Sequence, residues 1–428
     1  MPEDTKPLFP ADFMWGASTS AHQVEGGNHD QWTVWELAHA AELAKTAERR
    51  LSHLPSWPKI KKQMQDPETY ISGKGVDHYG QYARDFEILK KLNLNSFRFG
   101  IEWARIEPQE GQWDEAEVDH YRQYIKKLKE LGIEPVMNIW HWTLPVWFYE
   151  KGGFKYRRNL KYFDRFVQKI AADFATDLKW IITINEPNVY VTFSYLMPEP
   201  TSSRWPPGEK SFLSFCRVYW NLMLAHRRAY KILKSTNPQA NIGLAAQLAN
   251  IQAKRPHSFF DERSTQIMRY FWNWLFLRRV RRQMDFVGFN YYFTDYYTEL
   301  GKKKDPAVPL SDMGWYMEPE GLYPLLLSIS RHFKGKPIII TENGVSDGKD
   351  EFRRWWLEES IVAMERALSE GVDLRGYFYW SLLDNFEWEN GWWPKFGLVE
   401  VDRAHGMKRT VRPSAHWLAE KIKELSKK

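Results

Sequence analysis

Eight short apolar runs alternate with stretches of helical spacing along this chain, and that alternation constrains the fold more than any other feature. The runs cover residues 13–18, 96–101, 134–140, 180–184, 242–246, 286–291, 337–341 and 375–380. Rich in β-branched and aromatic residues, they read as strands buried on both faces. Between them, residues such as Tyr82, Phe86, Leu89 and Leu92 recur at helical spacing, and Tyr121, Ile125, Leu128 and Leu131 are followed by Gly132 as a stop. Strands alternating with helices imply a parallel sheet, and so an α/β fold. Divided by eight, the 428 residues give about 53 per strand-helix unit, within the range of a (β/α)8 barrel. No linker interrupts them, so residues 1–428 are expected to form a single barrel domain with long βα loops. The loop after the first run carries a charged helical stretch, residues 36–65, placed to shield the barrel mouth.

Composition narrows the function classes. Hydrophobic residues make up 43% and aromatics 16% of the chain, enough for a large core. A mean hydropathy of −0.58 and the lack of a long apolar run exclude a membrane-spanning helix. One cysteine, Cys216, forbids an internal disulfide, and residues 1–10 carry no basic-then-apolar leader pattern. A reducing cytoplasm is the expected setting. The net charge of +6 is mixed in sign along the chain, whereas nucleic-acid binding needs a clustered basic face.

Two carboxylates stand out. Glu186 lies in Thr183-Ile184-Asn185-Glu186-Pro187 and Glu342 in Ile340-Thr341-Glu342-Asn343-Gly344, each directly after an apolar run. Both should project from the C-terminal ends of barrel strands, where barrel enzymes keep their chemistry. They are 156 residues apart, about three units, and so face one another across the mouth.

These segments, with several others, resemble the retaining β-glycosidases of glycoside hydrolase family 1, the β-glucosidase type. The resemblance runs from Phe13 to Trp417. Phe13-Met14-Trp15-Gly16-Ala17 leading to Gln23-Val24-Glu25-Gly26 is similar to the family's opening, and Phe97-Arg98-Phe99 followed by Ile101-Glu102-Trp103 to its second strand. His141-Trp142-Thr143-Leu144-Pro145 is similar to the third, with Thr143 where the family often has Asp. Asn290-Tyr291-Tyr292 fits the sixth, and the segment from Trp380 through Asp384 to Glu387-Trp388 fits the eighth.

The resemblance implies a set of roles. Retaining hydrolysis uses two close carboxyl groups, one attacking the anomeric carbon and the other protonating the leaving oxygen. Glu342 is the implied nucleophile, kept charged by Arg98 and oriented by Tyr292. Glu186 is the implied acid and base, its pKa raised by burial and by its partner. Asn185 is assigned to the sugar 2-hydroxyl, and Asn290 joins the substrate-binding set. Gln23, His141 and Glu387 supply polar contacts, Trp388 an indole N–H, Trp380 a stacking floor and Trp315 an aglycone-side aromatic. A carboxylate at Glu387 would repel a 6-phosphate, so a non-phosphorylated hexose is expected, with no cofactor and no metal ion. The expected activity is that of a β-glucosidase with β-galactosidase or β-fucosidase side activity, its partner a small β-glycoside or oligosaccharide. Transfer of the sugar to an alcohol instead of water stays open, as does a non-catalytic carbohydrate-binding relative, which the intact set of Glu186, Glu342, Arg98 and Tyr292 argues against.

Other features carry plainer readings. His22, His29 and His78 lack metal-ligand spacing and read as hydrogen-bonded structural residues. Gly208-Glu209-Lys210-Ser211 lacks the Gly-Lys-Ser/Thr order of a phosphate loop and reads as a surface turn. Departures from the family fall at residues 193–200 and 247–285, both bordering the aglycone side. Within the second, an aromatic run at 270–277 precedes four arginines at 278–282, either a buried barrel helix with a solvated end or an interfacial helix.

Overall fold

The computed structural model describes residues 8–196, 205–303 and 307–426. Eight parallel strands close into a barrel: β1 (Met14–Ser18), β2 (Ser96–Gly100), β3 (Glu134–Asn138), β4 (Trp180–Asn185), β5 (Asn241–Gln247), β6 (Val287–Tyr291), β7 (Ile338–Asn343) and β8 (Leu374–Trp380). They follow chain order around the ring, with β1 pairing both β2 and β8. Each expected run holds one strand, displaced by at most a residue or two at its ends, where pairing rather than composition decides the boundary.

Side chains alternate across the barrel wall. Met14, Trp180, Phe286, Ile339 and Phe378 point inward and form their own cluster, while Trp15, Phe97, Ile181 and Ile340 pack outward under the helices. Gly16 makes room for one inward ring, since a Cβ there would fall 2.5 Å from Phe378. The larger outer helices include Glu115–Glu130, Leu160–Phe174, Phe212–Thr236 and Arg353–Ser369. In Leu160–Phe174 the stripe of Phe163, Phe166, Val167, Ile170 and Phe174 is fully covered, as helical spacing requires.

Two register shifts position the chemistry. The β4 ladder slips between Ile182 and Asn185, and the β7 ladder between Ile340 and Glu342. Such bulges re-aim the residues that follow them, and here those residues are Asn185-Glu186 and Glu342. Just beyond, Gly344 lets β7 pass so close to β8 that a Cβ would sit 1.9 Å from the Trp380 carbonyl.

The loop after β1 holds two helices, Gln31–Leu51 and Trp57–Met64, rather than one stretch beginning at residue 36. Asp30 starts the first earlier, through a reciprocal cap with Thr33, and Pro55 separates the two. They do border the mouth: Ser56 Oγ donates to the Asp312 carbonyl at 2.7 Å, on the loop that carries Trp315.

Residues 247–285 hold more structure than their sequence suggests. Asn250–Ala253 joins Thr294–Thr298 and Gly301–Lys303 in a small sheet beside the mouth. Phe259–Arg269 then runs through a π-helical turn, Tyr270–Trp274, into Leu275–Val280. Of the two readings for this segment, the buried helix holds: Trp274, Phe276, Leu277 and Val280 are covered, while Arg278, Arg279, Arg281 and Arg282 face solvent. Tyr270 and Phe271 are the exceptions, at 38% and 56% exposed. The departure at residues 193–200 is described only as far as Leu196. No helix among the described residues is long and apolar enough to cross a membrane.

Candidate active site

At the C-terminal mouth of the barrel, one hydrogen-bonded cluster joins β2, β3, β4, β6 and β7. Arg98, fully buried on β2, reaches both ways: one guanidinium nitrogen donates to Glu342 Oε1, and Nη2 donates to Asn185 Oδ1 at 2.6 Å. Tyr292 OH donates to the other carboxylate oxygen of Glu342 at 2.6 Å. On β6, Asn290 donates from Nδ2 to Glu186 Oε1 at 2.7 Å, while its own Oδ1 accepts from Thr341 at 2.6 Å. His141 sits between two amides, with Asn185 Nδ2 3.0 Å from its Nε2 and Asn138 Nδ2 3.2 Å from its Nδ1.

The two central acids therefore live in unlike surroundings. Burial and the neighbouring Glu342 charge push the Glu186 carboxyl well above the usual range, with only an amide bond and the more distant Arg98 to oppose them. Burial also raises Glu342, but Arg98 and the Tyr292 hydroxyl both favour its charged form. A proton shared by the pair therefore resides on Glu186. Burial and Arg98 hold His141 well below its ordinary value, so its ring is neutral. Burial and Glu342 keep the Tyr292 phenol protonated and able to donate.

A second polar group closes the cavity floor. Gln23 Nε2 donates to Glu387 Oε2 at 3.2 Å and to the Phe386 carbonyl at 2.7 Å. Burial, Glu389 and Glu342 raise Glu387 to about 8, and burial takes Glu389 to about 7. Burial and its acidic neighbours thus favour the protonated form of Glu387, where a carboxylate is expected from sequence. Aromatic rings surround the acids. Trp380 lies near-parallel to His141, with centroids 5.9 Å apart, and Trp388 stacks on His22 at 5.4 Å. Half-buried Trp315 packs edge-on to Tyr292 at 5.6 Å. Trp142, Glu186 and Trp388 hold left-handed backbone, with φ of 76°, 41° and 50°. Such conformations cost of order 1–3 kcal/mol each and persist only where surrounding contacts enforce them.

Of the residues singled out from sequence, Gln23, His141, Glu186, Tyr292, Trp315, Glu342, Trp380, Glu387 and Trp388 line one cavity. Arg98, Asn185 and Asn290 stand behind it. The Asn185 amide, expected on a sugar hydroxyl, is engaged by Arg98, Asn290 and His141. His22 and His78 are structural, as read: His22 bridges Asp30 and Glu36, and His78 bridges Asp85 and Tyr124. Sequence reasoning missed Trp142, Trp205 and Glu389, which complete the wall. Glu389 accepts from the Trp205 indole at 2.6 Å. Only the position of Glu389 beside Glu387-Trp388 could have signalled it.

The arrangement offers, in a buried aromatic cavity, one carboxyl biased to be charged and another biased to be protonated. Known proteins carry the same frame. Residues 5–282 and 276–426 match the profile of glycosyl hydrolase family 1. The chain is 30% identical to β-glucosidase A of Acetivibrio thermocellus, over 98% of this chain and 99% of that one. It is 29% identical to a β-galactosidase of Sulfolobus acidocaldarius, over 92% and 91%. A solved β-glycosidase from Pyrococcus horikoshii superposes with a TM-score of 0.84 at 31% identity, covering 98% of this chain and 96% of that one. The β-glucosidase from Thermotoga maritima, solved in complex with glucoimidazole, superposes with a TM-score of 0.83 at 27% identity, covering 97% and 99%. With its barrel, its cluster of acids and a family match from end to end, this chain belongs to glycosyl hydrolase family 1.

Proposed function

We propose that this glycoside hydrolase releases terminal, non-phosphorylated β-linked sugars, glucose first and galactose or fucose second, by double displacement with retention. The observation that carries the reading is the asymmetry of the acid pair: Glu342 is held by Arg98 and Tyr292, and Glu186 by an amide alone. Glu342 attacks the anomeric carbon while Glu186 gives its proton to the departing oxygen, forming a glycosyl ester on Glu342 and a free alcohol. Esterification removes the Glu342 charge that raised Glu186. Glu186 then acts as base, taking a proton from the water that displaces the ester. The sugar is held by Gln23, His141 and Glu387 over the Trp380 floor, with Asn185 reaching its 2-hydroxyl by giving up one of its present bonds. The names of the relatives, β-glucosidase and β-galactosidase, support a hexose preference of this kind.

Following the product anomer by NMR tests the mechanism. The β sugar should appear first, and Glu342→Ala should lose turnover but form an α-glycosyl azide when azide is supplied. An initial α product, or a wild-type rate in that variant, overturns the assignment.

A further inference from the structure

Beyond the acids the cavity opens into an apolar channel, and its total volume of about 1140 Å³ exceeds the roughly 300–1,000 Å³ of ordinary small-molecule sites. One wall is the first turns of helix Phe212–Thr236. Phe212, Phe215, Cys216, Tyr219, Trp220 and Met223 recur there at helical spacing, and all six line the cavity. Such a stripe ordinarily packs on a core; here Tyr219 and Met223 do, while Phe212, Cys216 and Trp220 stay exposed along the channel. Phe212 stacks on Phe215 and Phe215 on Tyr219, with centroids 6.0 and 5.7 Å apart and planes within 16° and 11°. Exposure falls from 70% at Phe212 to 8% at Tyr219, so the ladder leads from solvent inward.

A second wall comes from the π-helical turn Tyr270–Trp274, which places Phe271 and Trp272 in the lining. π-turns of this kind gather at functional sites. Some polar groups here are already occupied, since Gln247 accepts from the Trp272 indole and Asp295 pairs with Lys302, while the Tyr219 hydroxyl stays unpartnered among the described residues. A second sugar ring laid along the ladder would leave most of its hydroxyls without partners.

We propose that the aglycone site takes a long, flexible alkyl or acyl chain, so that the preferred substrates are amphiphilic β-glycosides. This names the leaving group for the β-glycosidase reading above and rests on that reading for the sugar end. The sugar binds over the acids, and the chain lies along the Phe212–Tyr219 ladder and leaves past Phe271.

The test is kcat/KM for methyl, butyl, hexyl and octyl β-glucosides, each below its micelle concentration, with cellobiose alongside. Burial of each methylene should raise the value about two- to fourfold, so by about a hundredfold or more over the seven methylenes from methyl to octyl. Phe215→Ser and Phe271→Ser should each lower the octyl-to-methyl ratio by about tenfold. Turnover of a diacylglycerol glucoside in phosphatidylglycerol vesicles would mark a lipid as the source of the chain; a steep alkyl series without it would mark a free amphiphile. A flat series, or cellobiose above octyl glucoside, overturns the proposal. Calorimetry with methyl and octyl thio-β-glucosides reads the same channel without turnover. If no glycoside is hydrolysed the β-glycosidase reading fails, and equal affinities for the two thioglycosides then overturn the channel assignment as well.

Discussion

Glu186 and Glu342 are both buried acids tied to one amide network, and Arg98 with the Tyr292 hydroxyl separates their chemistry. Glu186→Ala should therefore lose about 10² to 10⁴ in rate on alkyl glycosides, the usual worth of a positioned acid. Dinitrophenyl glycosides need no protonation, so their first step should be largely spared; equal losses on both substrates would contradict the assignment. Tyr292→Phe removes a hydrogen bond that favours charged Glu342. The acid limb of the kcat/KM profile should move to higher pH, and the value should fall about 10- to 100-fold, the worth of a hydrogen bond to a charged group. A loss with an unmoved acid limb would mean that Tyr292 acts on something other than Glu342's charge. These residues were legible because each sits in a motif at a strand end. Asn185 was legible in identity but not in its engagement, since Arg98, Asn290 and His141 reach it from three other strands. Trp142, Trp205 and Glu389 come together only through tertiary packing, and beyond the place of Glu389 beside Glu387-Trp388 no local pattern marks them.

At the level of elements, the eight strands could be read because a strand buried on both faces leaves a continuous apolar run. The small sheet of Asn250–Ala253, Thr294–Thr298 and Gly301–Lys303 left no such trace. Its strands are short and partly exposed, and Asn250–Ala253 pairs with Thr294–Thr298 across about forty residues, so no local period records that pairing. The start of helix Gln31–Leu51 was missed for another reason: Asp30 caps it while also binding His22, and only the cap has a sequence signature. Burial alone would lower the His22 pKa, but Asp30 and Glu36 outweigh it and raise the value well above 6.5. A raised folded-state value means that His22 contributes its full stability below the unfolded pKa, and that this contribution fades as pH rises through the folded one. His22→Gln leaves two buried carboxylates facing a neutral side chain and should cost about 3–5 kcal/mol. Thermal unfolding of both proteins from pH 5 to 10 checks this. The gap in Tm should be widest below pH 6.5 and shrink toward alkaline pH; a constant gap would show that folding leaves the ring's pKa unshifted, and a gap that narrows toward pH 5 that the folded ring is neutral.

Over the whole molecule, the net charge of +6 is not carried to the sugar end of the cavity, where four acids gather. Glu186, Glu342, Glu387 and Glu389 line it together. Its cations, Arg279, Lys302 and Lys303, belong to the segments that build the apolar channel, and Lys302 already pairs with Asp295. A sugar 6-phosphate placed against Glu387 would thus be buried beside acids. How strongly it is rejected depends on pH, because burial and Glu389 raise Glu387 to about 8. Below that value the carboxyl is neutral, and discrimination rests on the desolvation of an unpaired dianion. Above it, two unit charges about 4 Å apart add about 4 kcal/mol of repulsion at an effective dielectric near 20, several hundredfold in rate. The ratio of kcat/KM for nitrophenyl β-glucoside over its 6-phosphate should therefore favour the free sugar at pH 7 and widen markedly by pH 9. The phosphate is already mostly a dianion at both values, and loss of the Glu186 proton slows both substrates alike, so the change in ratio reads Glu387. A ratio that stays level would show that Glu387 holds one charge state across the range, and a preference for the phosphate would remove it from the end of the site where the sugar's sixth carbon binds.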